Sequence, residues 1–127
     1  MYRETTDGIV VEVQPTYLRE HSDPTKQLFV FSYEVTITNE SRKPVRLIAR
    51  HWVIRDGDGA EREVEGDGVV GEQPNLIPGG SFTYSSFCPL ATPSGSMRGT
   101  YRMAREDGTE FSVKIPLFFL RDLSQYN

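Results

Sequence analysis

Apolar and polar residues alternate along much of the chain, and the alternation is clearest over residues 26–39. A period of two residues is that of a strand with one buried face, because successive side chains of a strand point to opposite sides. We therefore predict a half-buried strand here. The residues that share its apolar face are Phe29, Phe31, Tyr33, Val35 and Ile37.

The same alternation recurs between turn signals rich in Gly, Pro, Asn and Asp, and no segment shows a helical stripe. Asp56-Gly-Asp-Gly59 predicts a hairpin turn, since glycine tolerates the positive φ of tight hairpin loops. About seven short antiparallel strands at this spacing predict an all-β sandwich in a single domain over residues 1–127, with Trp52 in its core. The further predicted strands are residues 9–14, 45–54, 60–65, 81–87, 97–104 and 110–117.

The segment PLFFL, residues 116–120, breaks the alternation. Proline cannot donate to a strand ladder, so Pro116 predicts an edge strand or a bulge. The apolar run is interpreted as buried inside the sandwich. The functional alternative is an apolar patch that contacts another subunit.

Composition indicates a soluble globular protein and excludes several classes of function. The net charge is -4 and the pI is ≈ 5.2, which argues against binding to the nucleic-acid backbone. No apolar run approaches the roughly 18 residues of a membrane span, so we expect no membrane insertion. The start MYRETTDG has no apolar core of a secretory signal, and Cys88 is the single cysteine, so we expect a cytoplasmic protein without an internal disulfide.

The sequence offers no catalytic constellation, and we expect no catalytic residues, no metal ligands and no cofactor. His21 and His51 lie far apart in sequence and are interpreted as loop or packing residues. Cys88, between Phe87 and Pro89, is interpreted as a small buried hydrophobic residue rather than a nucleophile.

Gly66, Gly68 and Gly71 form the pattern G-x-G-x-x-G, which binds pyrophosphate where it joins a strand to the N-terminus of a helix. The following segment, EQPNLIPGG, contains two prolines and a glycine pair and leaves no room for a helix. The glycines therefore favour a turn with a bulge, and a phosphate cradle is the alternative.

The charges around this glycine loop also oppose an anion. Glu65, Asp67 and Glu72 flank it with no lysine or arginine between them. A phosphate ligand would need a metal bridge or distant arginines. The candidates for that role are the pairs Arg98 and Arg102 on one predicted strand and Arg46 and Arg50 on another.

Taken together, several sequence blocks resemble the bacterial ApaG family over nearly the whole chain. The most specific block is VEGDGVVGEQP, which contains the glycine motif. The blocks, in order, are residues 51–56 (HWVIRD), 64–74 (VEGDGVVGEQP), 76–79 (LIPG), 82–84 (FTY), 95–101 (GSMRGTY) and 111–120 (FSVKIPLFFL).

The resemblance implies a fibronectin type III-like sandwich and a cytosolic protein whose relatives occur as domains of an F-box protein and of a polymerase-delta-interacting protein. It also implies links to diadenosine tetraphosphate metabolism and to cobalt and magnesium efflux, and a pyrophosphate-binding role for Gly66, Gly68 and Gly71. Two hypotheses follow. We favour a non-enzymatic binding module for a protein partner or for a pyrophosphate or nucleotide ligand. The alternative is a metal-assisted hydrolase of nucleoside polyphosphates.

Overall fold

The computed structural model describes residues 1–122, most of which are in strands. Two short 3-10 helices, Arg19–His21 and Pro24–Lys26, connect the second and third strands. Within residues 1–122 no helix is long and apolar enough to cross a membrane. The strands are β1 (Tyr2–Thr6), β2 (Ile9–Tyr17), β3 (Phe29–Asn39), β4 (Val45–Asp56), β5 (Glu61–Asp67), β6 (Asn75–Leu76), β7 (Ser81–Leu90), β8 (Ser94–Arg105) and β9 (Glu110–Arg121).

These strands form two antiparallel sheets packed face to face. The first sheet has the order β1-β2-β3-β7, and the second has the order β5-β4-β8-β9, with the short β6 also paired to β4. The β-sandwich predicted from the alternation is therefore confirmed. The seven predicted strands are all present, whereas β1 and β6 were not predicted.

The core lies between the sheets and is built around Trp52, which is only 2% exposed. Its ring packs edge-on against Tyr33 of the first sheet, with ring centroids 5.3 Å apart, and against Phe118 of its own sheet at 5.9 Å. Edge-to-face pairs of this kind add about 0.5–1.5 kcal/mol beyond the area that they bury. The predicted apolar face of β3 is buried throughout, as its period of two required.

Pro116 lies on an edge strand and at a bulge, the two positions that its missing N–H predicted. β9 is the outer strand of the second sheet, and its register with β8 shifts between Met97 and Gly99, so that Pro116 sits in the irregularity. Beyond it, Phe118 and Leu120 are buried, while Leu117 and Phe119 on the other face are 47% and 40% exposed. The run therefore supplies the core and also leaves two apolar side chains at the surface.

Candidate functional site

The glycine motif begins inside a strand and ends in a tight hairpin. Gly66 is a residue of β5 paired with Arg50, so the prediction that β5 ends at residue 65 was wrong. Val69 and Glu72 exchange backbone hydrogen bonds of 2.8 and 2.9 Å, which leaves Val70 and Gly71 as a two-residue turn. Both have positive φ, +44° and +81°, as a type I′ turn requires. We call residues 69–72 the glycine hairpin.

Val70 is the unusual residue of the glycine hairpin. Positive φ is tolerated by Gly, Asn and Asp, but a β-branched residue at positive φ is a genuine outlier. Val70 nevertheless adopts it, and its side chain is 56% exposed rather than packed in the core. Nothing in the hydrophobic interior therefore requires valine at this position.

The hairpin is fixed to an irregularity in β4. The register between β4 and β8 shifts between Leu47 and Ala49, which frees the carbonyl of Ile48 from the ladder. That oxygen accepts the N–H of Gly68 at 2.8 Å and the side-chain amide of Gln73 at 2.9 Å. Gly68 also has φ +64°, and a Cβ there would overlap the backbone carbonyl of Glu72. Geometry of the chain alone thus demands glycine at position 68.

Arg50 reaches the loop from the inner side of the sheet. Its Nη1 donates to the carbonyl oxygens of Asp67 at 3.1 Å and Gly68 at 3.0 Å. A Cβ on Gly66 would lie 2.8 Å from that nitrogen, so the missing side chain makes room for the guanidinium. Of the arginines that could have supplied charge to an anion, Arg50 lies at the loop and is committed to backbone carbonyls.

Two of the other candidate arginines, Arg98 and Arg102, form ion pairs with carboxylates. Arg98 Nη1 lies 3.3 Å from a carboxylate oxygen of Glu61, and Arg102 Nε lies 3.4 Å from one of Glu110. Arg46, near the start of β4, is paired in the ladder with Asn75 of β6. Arg102 nevertheless lines one cavity together with Arg50, Gly66 and Asp67, so the fold brings one arginine of each predicted pair beside the start of the loop.

The backbone groups of the loop are also largely occupied. Gly68, Val69 and Glu72 each donate their N–H to a carbonyl of the chain. A shallow cavity of ≈ 360 Å³ adjoins the loop, and its lining combines the acidic side chains of Glu65 and Asp67 with those of His51 and Arg102. The loop thus presents mixed charge and few free donors, whereas an anion cradle needs converging N–H groups.

His51 lies on the outer face of the second sheet, where sequence reasoning had expected a packing residue. Its Nε2 is 2.9 Å from Glu63 Oε1 and 3.6 Å from Glu65 Oε1, and the side chain is about one-third exposed at 35%. Those carboxylates come from the neighbouring strand, so only the pairing of β4 with β5 reveals the contact.

Two further polar features lie on the side of the sandwich formed by β5 and β7. Cys88 is buried, as predicted, and burial raises the pKa of its thiol, although Arg62 Nη2 lies 3.7 Å from its sulfur.

The hydroxyl groups of Tyr84 and Tyr101 are 2.5 Å apart in the interior. Burial raises the pKa of both phenols. No local sequence signal indicated this pair.

The fold and the site define a class of protein: an antiparallel β-sandwich that carries a rigid glycine hairpin anchored by an arginine. A sequence model of the ApaG domain matches residues 19–105. Protein ApaG of Methylobacterium sp. (strain 4-46) is 52% identical over 120 residues, covering 94% of this chain and 92% of that protein. Protein ApaG of Anaeromyxobacter dehalogenans is 51% identical over 118 residues, covering 93% of each. The chain belongs to the ApaG domain family.

Solved structures agree with this assignment. A crystal structure described as an ApaA protein from Bordetella pertussis superposes with a TM-score of 0.87 at 50% identity, covering 89% of this chain and 92% of that one. The C-terminal domain of wzt superposes with a TM-score of 0.55 at 11% identity, covering 94% of this chain and 76% of that one. The second likeness concerns the fold alone.

Proposed function

We propose that this protein is a non-enzymatic binding module that holds a protein partner through the glycine hairpin, with Val70 as the apolar anchor. The observation that carries the proposal is that Val70 combines positive φ with an exposed side chain. Strain of this kind costs about 1–3 kcal/mol, and strained residues cluster at binding and active sites. Asn-Gly is the sequence that a type I′ turn favours, so valine sacrifices stability at a position where it gains nothing from the core.

The rigidity of the hairpin supports the same function. Ile48, Gln73 and Arg50 hold the loop through backbone and side-chain hydrogen bonds on both flanks of the turn. A preorganised loop loses little conformational entropy when a partner binds, so more of the contact energy is retained as affinity. An apolar tip of this kind suits insertion into a pocket of a partner protein.

A pyrophosphate or nucleotide ligand at Gly66, Gly68 and Gly71 is the second candidate, and the geometry favours it less. The loop N–H groups of Gly68, Val69 and Glu72 already have partners, and Arg50 bonds to carbonyl oxygens. The flanking carboxylates of Glu65, Asp67 and Glu72 would repel a phosphate. Each glycine of the pattern has a structural reason of its own. Arg50 approaches Gly66 closely, a Cβ on Gly68 would overlap the backbone of Glu72, and Gly71 has positive φ in the turn.

Metal-assisted hydrolysis of nucleoside polyphosphates is the enzymatic alternative. Burial raises the pKa of the Cys88 thiol and disfavours a thiolate nucleophile, so such an activity would depend on a metal-activated water. The link to cobalt and magnesium efflux implied by the family stays a prediction. It would require that the partner held by the hairpin belong to that system.

The test compares affinity capture from bacterial cytosol by the wild-type protein and by Val70→Asn. The substitution suits the turn, because asparagine adopts the left-handed conformation readily, so we expect the variant to fold and to gain about 1 kcal/mol in the free energy of unfolding. We expect the wild type to retain at least one protein that the variant loses, by tenfold or more in quantitative mass spectrometry.

The matched control is Leu117→Asn, which removes an exposed apolar side chain from β9, the opposite edge of the second sheet from β5. It should retain the same proteins as the wild type. Identical captured proteins for wild type and Val70→Asn would reject the hairpin as the contact. Micromolar pyrophosphate binding by purified protein would transfer the proposal to the second candidate.

A further inference from the structure

β7 is an edge strand without the protection that edge strands usually carry. Its 10 residues, SFTYSSFCPL, contain no charged side chain, and its register with β3 runs without a bulge from Ser81 to Leu90. Soluble proteins normally block such edges with charges, bulges or covering segments, because the free N–H and C=O groups accept another strand. The other long edges differ: β5 is rich in Glu, and β9 has Pro116 and a bulge.

The hydrogen-bonding direction of β7 can be assigned from its last residues. Pro89 has no N–H, and its carbonyl accepts Arg62 Nη2 of the other sheet at 2.8 Å, so this residue faces the free edge. Because hydrogen-bonding direction alternates along an antiparallel pair, Ser81, Thr83, Ser85 and Phe87 face the same way. Phe87 is also 67% exposed on the outer face. The alternate residues Ser81, Thr83, Ser85 and Phe87 therefore offer a row of free backbone groups.

The second sheet extends one strand beyond β7. At the far side of the sandwich β1 and β2 both pack on β9, and from this offset we infer that the first sheet is displaced toward β9 and covers β5 only in part. Val64 of β5 demonstrates the gap: it is paired with Trp52 and shares its inward face, yet it is 38% exposed while Trp52 is 2% exposed. We call the space beside β7 and above Val64 the notch.

The floor of the notch is positively charged at both ends. Arg62 and Gly66 flank Val64 on the same inward face of β5, two residues away on either side. The guanidinium of Arg62 reaches across to Pro89, and that of Arg50 lies beneath Gly66. The carboxylates of Glu61 and Glu63 belong to the opposite face, where they lie beside Arg98 and His51.

We propose that the notch binds an extended segment of a partner protein, which adds to β7 as a fifth strand and places an acidic-x-apolar-x-acidic pattern over Arg62, Val64 and Arg50. Backbone pairing supplies the affinity and the alternate side chains supply the specificity, as in other strand-addition complexes. Arg50 Nη1 and Arg62 Nη2 already donate to backbone carbonyls, so the other N–H groups of each guanidinium are the donors offered to the carboxylates. An apolar side chain between the two carboxylates covers Val64.

A second copy of this chain does not fit the notch. If two β7 strands paired about a two-fold axis, each second sheet would project one strand past the contact, and both copies of β5 would compete for the same space. The acidic side chains of both β5 strands would also approach one another. An isolated extended segment has no second sheet and avoids both conflicts.

The probe is the peptide Thr-Glu-Thr-Val-Thr-Glu-Thr, compared with a control in which both Glu are replaced by Lys. We expect the acidic peptide to bind at least about tenfold tighter than the basic one in a calorimetric or fluorescence titration at low salt. Amide exchange should slow at the edge-facing residues Ser81, Thr83, Ser85 and Phe87. The Arg62→Glu variant should lose this preference or reverse it.

Ser85→Pro removes one edge N–H without touching the ladder to β3. The variant should stay folded and should bind the acidic peptide about tenfold more weakly, or weaker still. Val64→Glu places a carboxylate on the floor of the notch and should also lower the affinity for the acidic peptide. Equal affinity for the two peptides, absence of binding to the wild type, or a β7-mediated dimer in solution would each overturn the proposal. Val70→Asn should bind the peptide as the wild type does, so this result is independent of the glycine hairpin.

Discussion

The guanidinium of Arg50 occupies the space that a side chain on Gly66 would need. Its Nη1 lies 2.8 Å from the position of an added Cβ, and the same nitrogen donates to the carbonyls of Asp67 and Gly68. The two residues are directly paired across β4 and β5. The arginine of the neighbouring strand thus gives a structural reason for the first glycine of the motif.

This relationship predicts a coupling between Gly66 and Arg50. Gly66→Ala should lower the free energy of unfolding by about 1–2 kcal/mol, because the flexible guanidinium can move aside only by giving up its hydrogen bonds to the loop. In an Arg50→Ala background the same change should cost about zero, since no guanidinium is displaced. Urea unfolding of the wild type, both single variants and the double variant measures the coupling. Additive losses would show that the two residues are independent.

Gly68 and Gly71 should respond differently to the same substitution. Both have positive φ, but nothing lies within 4 Å of a Cβ on Gly71, whereas one on Gly68 would overlap the carbonyl of Glu72. We expect Gly71→Ala to cost about 1–2 kcal/mol, from conformational strain alone. Gly68→Ala should cost about 3 kcal/mol or more, since a backbone overlap is added. Thermal or urea unfolding would contradict this ordering if Gly71→Ala proved the more damaging.

The buried Tyr84 and Tyr101 pair makes stability fall at alkaline pH. Burial raises the pKa of both phenols, so above about pH 10 the tyrosines of the unfolded chain release protons that the folded protein still holds. The folded state then binds more protons, and the free energy of unfolding decreases as pH rises. In the double variant Tyr84→Phe with Tyr101→Phe this alkaline loss should be shallower.

The same pair allows a second check at neutral pH. Tyr84→Phe alone leaves the Tyr101 hydroxyl without its partner in the interior, which should cost about 1–3 kcal/mol. Removing both hydroxyls should cost less than the sum of the single losses. Unfolding in urea at pH 7 and near pH 11 gives both results, and equal pH slopes for wild type and double variant would refute the role of the pair.

Pyrophosphate and ATP should bind no tighter than about 0.1 mM, with or without Mg²⁺, in a calorimetric titration. The physical reason is that the loop N–H groups are occupied and that Glu65, Asp67 and Glu72 oppose an anion. The suitable control is Gly71→Ala, because open space surrounds that position and the variant should remain folded. Micromolar affinity that disappears in this variant would establish the phosphate cradle.

The sequence by itself determined the features that depend on neighbours along the chain. A period of two placed the inward face of β3, and Pro116 marked an edge and a bulge, because side-chain alternation and the missing N–H are properties of the local backbone. β1 escaped prediction for the same reason. Its residues YRETT alternate only between intermediate and exposed, so they lack the hydrophobic contrast that reveals a buried face.

Only the tertiary structure decided how the glycine motif is built into the fold. Which side chain lies beneath Gly66, which carboxylates His51 meets, and how far the second sheet extends past β7 all depend on strand pairing and sheet packing between segments distant in sequence. The strain at Val70 was equally hidden, because valine is a good strand residue and nothing local predicts its positive φ. Sequence periodicity fixes which residues face inward, whereas the register between strands fixes what they meet there.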